Sequence, residues 1–252
     1  NWYKFSVTQD GVVKIDYNLL RNAGLNPDQI NPKRIKIFSG SYGMLPQSNS
    51  SPRKEDLIEI PVFVSGEADD KFNSSDYILF FAKGPDQYQY DVDRKIFQYE
   101  NNLFSDKNFY FLTISDNDGK RIINTENING TFPLIQTYDD FAFYETEKYN
   151  LLKSGRQWFG EQFDASTEAT IRFDISGIAD NSDIKLVSHV MAQSITNTSF
   201  QVSINNTAVL TQPIIAIPNS SYGIKGRIKA DTISFSAVSV GAPGKQNQDI
   251  KY

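Results

Sequence analysis

The chain is written in short stretches of two-residue periodicity, and no stretch sustains a helical period. Trp2-Tyr3-Lys4-Phe5-Ser6-Val7 alternates in this way, and residues 168–175 place Ala169, Ile171, Phe173 and Ile175 on one face. Successive side chains of a strand point to opposite sides of a sheet, so this spacing gives each strand one apolar face. Gly, Pro, Asn and Asp break the runs at short intervals, as turns require. The 18 Phe, 13 Tyr and 2 Trp suit pleated surfaces and bury large areas, which offsets a hydrophobic fraction of only 39%. The predicted fold class is mainly β: two β-sandwich or jelly-roll-like domains with one or two short helices.

Along the chain, Trp2–Val7 and residues 12–15 read as a hairpin around Asp10-Gly11. Asp16 suits a helix N-cap, and Gly24 suits the end of a helix over 17–23. Residues 34–38 form the next predicted strand, and 39–53 a polar loop. Residues 57–64 follow as a strand that Pro61 assigns to an edge. Tyr77–Ala82 is a near-continuous apolar run and reads as a buried strand. Asn108–Ile114 and residues 120–123 read as a hairpin around Asp116-Asn117-Asp118-Gly119. The turn-rich stretch 127–139 marks a boundary, giving an N-terminal domain over 1–135 and a second over 136–252. In the second domain, strands are predicted at 168–175, 183–193, 222–228 and 232–240. Phe200, Val202 and Ile204 lead into a tight Asn205-Asn206 turn and a return through 208–210.

Composition excludes several chemistries. The sequence has no Cys and one His, which removes a thiol nucleophile, a disulfide, a zinc finger and a multi-histidine metal site. A Ser-His-Asp triad could run only through His189. Alternation places His189 with Lys185, Val187, Met191 and Gln193, opposite Ile184, Leu186, Ser188 and Val190, and no G-x-S-x-G elbow accompanies it. His189 therefore reads as structural or solvated. A net charge of −5 argues against a nucleic-acid partner. No run approaches the roughly 18 apolar residues of a membrane span.

Residues 65–76, Ser-Gly-Glu-Ala-Asp-Asp-Lys-Phe-Asn-Ser-Ser-Asp, place oxygen ligands at alternate positions of a turning loop. A hard cation such as calcium suits such a loop when a carboxylate closes it. Glu67, Asp69, Asn73 and Asp76 are the candidate ligands, with a backbone carbonyl near Lys71. Two features depart from a calcium loop: Ser65 stands at the first ligand position, and Asp70 replaces the turn glycine. The competing reading, and the preferred one, is an acidic solvated loop that caps the strand beginning at Tyr77. No other cofactor is indicated.

Residues 150–161, Asn-Leu-Leu-Lys-Ser-Gly-Arg-Gln-Trp-Phe-Gly-Glu, hold a Trp-Phe pair between Gly155 and Gly160. Read by itself, the motif is a packed strand whose aromatics plug a core, with Arg156 paired to an acid. The motif also resembles a stretch in the N-terminal region of the PorU family, the sortases of the Bacteroidetes type IX secretion system. Trp2-Tyr3-Lys4 through Asp16-Tyr17, Gly43-Met44-Leu45-Pro46, residues 49–52, residues 64–67 through 76–80, and Gly84-Pro85-Asp86 resemble that family in the same order. The resemblance covers about the first two-thirds of the chain. Beyond Thr167 only a generic strand pattern continues.

The resemblance implies a non-catalytic N-terminal region of a surface cysteine peptidase of gingipain type. Such sortases remove C-terminal sorting signals from cargo and pass the cargo through an acyl-enzyme to lipopolysaccharide on the cell surface. The resemblance implies that the catalytic Cys and His belong to a downstream domain and that the second domain breaks off here before its last strands. This chain then acts as a scaffold and partner-binding module at the outer face of the outer membrane, without spanning it. Its implied partners are the peptidase domain of the same protein, the outer-membrane barrel PorV and secreted cargo. The alternative is a carbohydrate-binding β-sandwich of a secreted protein, with Tyr88, Tyr90, Tyr99 or Trp158 aligned on an open face.

Overall fold

The computed structural model describes residues 1–46, 48–125, 130–150, 153, 155, 158–179, 182, 184–192, 194, 196–216, 227–235 and 247–252, with the backbone alone at 227–235 and 247–248. They divide into two units, Asn1–Phe132 and Pro133–Tyr252. The fold is mainly β, built from several antiparallel sheets with one α-helix among the described residues. No helix among them is long and apolar enough to cross a membrane.

In the first unit the strands are β1 (Trp2–Val7), β2 (Gly11–Asp16), β3 (Ile35–Ser39), β4 (Ile58–Ile60), β5 (Phe63–Ser65), β6 (Tyr77–Ala82), β7 (Gln87–Asp91), β8 (Ile96–Glu100) and β9 (Asn108–Ile114). They make a four-stranded sheet in the order β1-β9-β3-β4, a three-stranded sheet β2-β6-β5, and the hairpin β7-β8. Alternation turns Tyr3, Phe5 and Val7 of β1 toward the core, where Ile35, Ile37, Tyr110 and Leu112 of the same sheet are buried. Ile15, Ile78, Phe80 and Val64 enter that core from the second sheet. Phe5, Phe80 and Tyr110 form its aromatic centre, with ring centroids 5.5–6.0 Å apart. Tyr110 is fully buried, and its hydroxyl accepts from the Lys83 amide at 2.6 Å and donates to the Lys83 carbonyl at 3.0 Å. The helix α1 (Tyr17–Asn22) starts where predicted, because the Asp16 carboxylate accepts from the Leu19 amide at 2.9 Å. Gly24, at φ +85°, follows its C-terminal end.

Four expectations for this unit change. The first two strands do not pair: β1 lies against β9, and β2 against β6. The Asp10-Gly11 turn is a corner between sheets, held by the Gly84 amide and the Lys83 ammonium donating to Asp10 at 2.7 and 2.9 Å. The run 57–64 is two strands, since β4 pairs with β3 while β5 pairs with β6. The break falls at Pro61, which has no N–H for a ladder and lets the chain cross from one sheet to the other. Residues 120–123 do not return along β9, because β1 and β3 occupy both its edges. They run beside Val62 instead, whose amide donates to Lys120 and whose carbonyl accepts from Ile122. Finally, β6 buries only one face: Ile78, Phe80 and Ala82 point inward, while Phe81 is exposed beside Val12, which is also exposed.

In the second unit the strands are β10 (Thr170–Asp174), β11 (Ile184–Ala192), β12 (Thr198–Ile204), β13 (Thr207–Ile214), β14 (Arg227–Phe235) and β15 (Asn247–Lys251). One sheet runs β10-β15-β12-β13, and β11 pairs with β14. Val202, Ile204 and Ile250 are buried together, flanked by Ile171, Phe173, Leu186 and Leu210. Asn205 and Asn206, at φ +50° and +67°, make the two-residue turn of the β12-β13 hairpin. A buried polar knot joins three segments. The Ser188 hydroxyl donates to Gln212 at 3.0 Å, the Gln212 amide donates to the Ser188 carbonyl at 3.2 Å, and Tyr252 donates to the Ser188 hydroxyl at 3.1 Å. Burial pushes the Tyr252 hydroxyl above its ordinary value, against the pull of the Ser188 hydrogen bond.

The two strands predicted at 222–228 and 232–240 are one, β14, because residues 229–231 continue the ladder opposite Ser188, His189 and Val190. Residues 222–226 and 236–240 lie outside the described residues, as do Asp183 and Gln193 at the ends of the predicted 183–193 strand.

Candidate functional site

The loop between β5 and β6 carries the candidate ligands, and backbone geometry shapes it first. Gly66 takes φ +89°, which favours glycine, and a Cβ there would fall on the Asp76 carboxylate. A 3-10 turn over Glu67–Asp69 follows, then Asp70 at φ +60°. The loop is then pinned from within: Phe72 is fully buried in the first core, and its amide donates to the Ile30 carbonyl at 3.1 Å. A tight turn over 73–76 closes it, with the Asp76 amide donating to the Asn73 carbonyl at 3.0 Å.

The carboxylates are each engaged inside this frame. Asp76 is buried, and it accepts from the Asn73 amide at 2.7 Å. Asp69 accepts from the Asn73 side-chain amide at 2.8 Å and from the Lys71 amide at 3.1 Å. These bonds, the Asn73 one first, hold its carboxyl below the usual carboxylate range. Asp70 pairs with Lys33 at 2.8 Å and accepts from Asn31 at 3.2 Å. The Lys33 contact lowers the Asp70 carboxyl and raises the Lys33 ammonium. Glu67 turns away from the others to the Arg121 guanidinium at 2.7 Å, and that guanidinium also donates to the Pro32 carbonyl at 2.9 Å. The structure therefore brings Asp69, Asn73 and Asp76 into one hydrogen-bonded turn and sends Glu67 to a different partner. Among the described residues no group of three or more His, Asp or Glu is arranged to hold a metal ion. Chemically, the loop is equipped to brace the entry to β6 and to tie it to residues 31–33 and 121. Arg121 was not legible as part of it, since it acts across the fold.

The other candidate residues lie elsewhere. His189 sits exposed on β11, on the face of Lys185 and Val187, and alternation turns Ser188 to the opposite, buried side. In the 150–161 motif, Tyr149 and Phe159 exchange backbone hydrogen bonds, both 2.9 Å. Glu161 accepts from Tyr144 at 2.7 Å and from Lys148 at 3.3 Å. Gly160 lies so close to Thr146 that a Cβ would strike its hydroxyl. Trp158 is 36% exposed, so the expected core plug is not formed. Leu151, Leu152, Ser154, Arg156 and Gln157 lie outside the described residues.

The β7-β8 hairpin sets Tyr88 opposite Tyr99 and Tyr90 opposite Phe97, all on one face. Tyr88 and Tyr90 are 44% and 41% exposed. The facing rings tilt at 55° and 56° with centroids 4.9 and 5.0 Å apart, and Tyr99 donates to Asp86 at 2.7 Å. That is the geometry of cross-strand packing. A sugar stacks on a flatter platform than these ridged pairs provide.

No family model matches the chain, and no curated protein matches it in sequence. Its fold is similar to that in a crystal structure of dimeric latent PorU from Porphyromonas gingivalis, with a TM-score of 0.78 at 20% identity. The likeness covers 99% of this chain and 22% of that one. At this identity the likeness is one of fold.

Proposed function

We propose that this chain is a non-catalytic N-terminal region of a type IX secretion system sortase, whose work is to position a peptidase domain and its partners. The observation that carries the reading is the fold likeness to a PorU structure over 99% of the chain. The absence of any Cys supports it, since the thiol nucleophile of such a sortase then lies in another part of the protein. In this reading the region sits at the outer face of the outer membrane, braces the peptidase, and faces the barrel PorV and incoming cargo. Rigid sheets suit that task, because misplacing a reacting group by about 1 Å costs on the order of 10²-fold in rate.

The test compares the intact sortase with the same protein lacking these 252 residues. Removal of the sorting signal from cargo in cells is expected to fall roughly 10²-fold. Hydrolysis of a short peptide by the purified deletion protein is expected to persist. Equal loss of both activities in a folded deletion protein would overturn the positioning role.

The acidic loop belongs to this scaffold role as a self-capped brace. Thermal unfolding of the chain in calcium and in a chelator is expected to coincide. A melting temperature that rises with calcium concentration would instead mark Glu67, Asp69, Asn73 and Asp76 as a structural ion site, since a ligand that binds only the folded state raises stability by mass action.

A further inference from the structure

One long edge strand of the first unit stays open. β1 ends the order β1-β9-β3-β4, so one row of its backbone N–H and C=O groups lies outside the ladder with β9. No other group among the described residues bonds to that row. The inward side chains show the same gap. Tyr3, Phe5 and Val7 are only half-buried, whereas Ile35, Ile37, Tyr110 and Leu112 of the same sheet are buried. The other edges of the two core sheets differ. β4 and β5 are three residues each. β2 is as long as β1, but Ile15 on its inward face is fully buried.

Charge narrows what fits there. The outer face of the four-stranded sheet carries Lys4 and Lys36, and neither pairs with an acid among the described residues. Glu59, on the same face, accepts from the Lys120 amide at 2.6 Å. The Lys4 ammonium lies 3.7 Å from the centre of the Phe109 ring on β9, so it leans back over the sheet and away from the edge. A second copy of the chain is a poor occupant. In a two-fold antiparallel pairing of β1 with itself centred on residue 4, Lys4 meets another Lys4, and like charges directly opposite destabilise such a pair. We propose that the free edge of β1 receives an extended acidic peptide of a partner protein as a fifth strand of this sheet. Backbone hydrogen bonds to the open row hold the peptide, and its alternate apolar side chains cover Tyr3, Phe5 and Val7. A carboxylate between them stands opposite Lys4, within reach of the ammonium.

Titration of the whole chain with the end-blocked peptide Val-Thr-Val-Glu-Val-Thr, followed by NMR of the backbone amides, tests this. At about 1 mM peptide, enough to register a weak complex, the amides of Trp2–Val7 are expected to shift and those of β2 and β10 to stay in place. A peptide with Lys in place of Glu is expected to bind about fivefold more weakly, because it sets like charges opposite each other. The variant Lys4→Glu changes an exposed side chain, keeps the fold and is expected to reverse that preference. Unmoved β1 amides, a charge preference that survives Lys4→Glu, or a dimer that forms through β1 without peptide each overturns the proposal.

Discussion

Phe72→Ala is expected to destabilise the first unit by about 3–5 kcal/mol, the range for removing a fully buried aromatic side chain. Phe72 is the only apolar residue in the run Asp69-Asp70-Lys71-Phe72-Asn73-Ser74-Ser75-Asp76, and it is fully buried. Its loss opens a cavity in the first core and frees the loop from Ile30, whose carbonyl accepts the Phe72 amide at 3.1 Å. The turn over 73–76 and the start of β6 then lose their anchor. Phe72→Leu keeps most of the apolar volume and is expected to cost under half as much. The chain has two Trp, at positions 2 and 158, one in each unit. Urea unfolding followed by Trp2 fluorescence in a Trp158→Phe background therefore reports on the first unit alone. A loss below about 1 kcal/mol for Phe72→Ala would mean that the loop is not pinned by this side chain.

The second large effect belongs to Tyr110, at the meeting of Phe5 and Phe80. Tyr110→Ala is expected to cost about 3–5 kcal/mol for the same reason. Tyr110→Phe isolates the hydroxyl: it strands the Lys83 amide and carbonyl and is expected to cost about 1–2 kcal/mol near pH 8. Burial pushes the Tyr110 hydroxyl from 10.0 up to about 12, against the Lys83 hydrogen bond, which pulls it down. The folded protein therefore keeps a proton that the unfolded chain releases near pH 10. The associated stability is fully present below that pH and is lost as the pH rises through about 12. A shift of this size corresponds to about 2–3 kcal/mol. Between pH 8 and pH 11 the wild type is thus expected to lose more stability than Tyr110→Phe, and their urea midpoints to converge. Tyr88 and Tyr252, also raised by burial, titrate in both proteins and cancel in the comparison. Parallel pH profiles for the two proteins would show that the Tyr110 hydroxyl does not carry the effect.

Local signals in the sequence are legible where structure depends on neighbours. Asp16 caps a helix, Asn205-Asn206 turns a hairpin, and the alternation of β1, β10 and β12 sorts inward from outward residues. Pairing between strands distant in sequence was not legible, because it is settled by residues far away along the chain. The Asp10-Gly11 turn looks like a hairpin until Gly84 and Lys83 claim the Asp10 carboxylate. The strand β15, Asn-Gln-Asp-Ile-Lys, has one apolar residue and no periodic signal, yet it joins β10 to β12. The acidic loop shows the same division. Its oxygen-rich spacing was visible, but the choice of Arg121 as the partner of Glu67, 54 residues away, was not.

The pairing of β1 with β9 also sets an order of assembly. Trp2–Val7 leaves the ribosome before the other strands of this unit, but its ladder partner, Asn108–Ile114, comes near the end of the unit. Until then β1 has no partner and the core between the two sheets cannot close. In the second unit β10 likewise waits for β15. Each of these sheets therefore stays open until the distant strand arrives, which slows folding because the longest-range contacts must form for the sheet to exist. Such a polypeptide stays threadable for as long as its last strand is withheld.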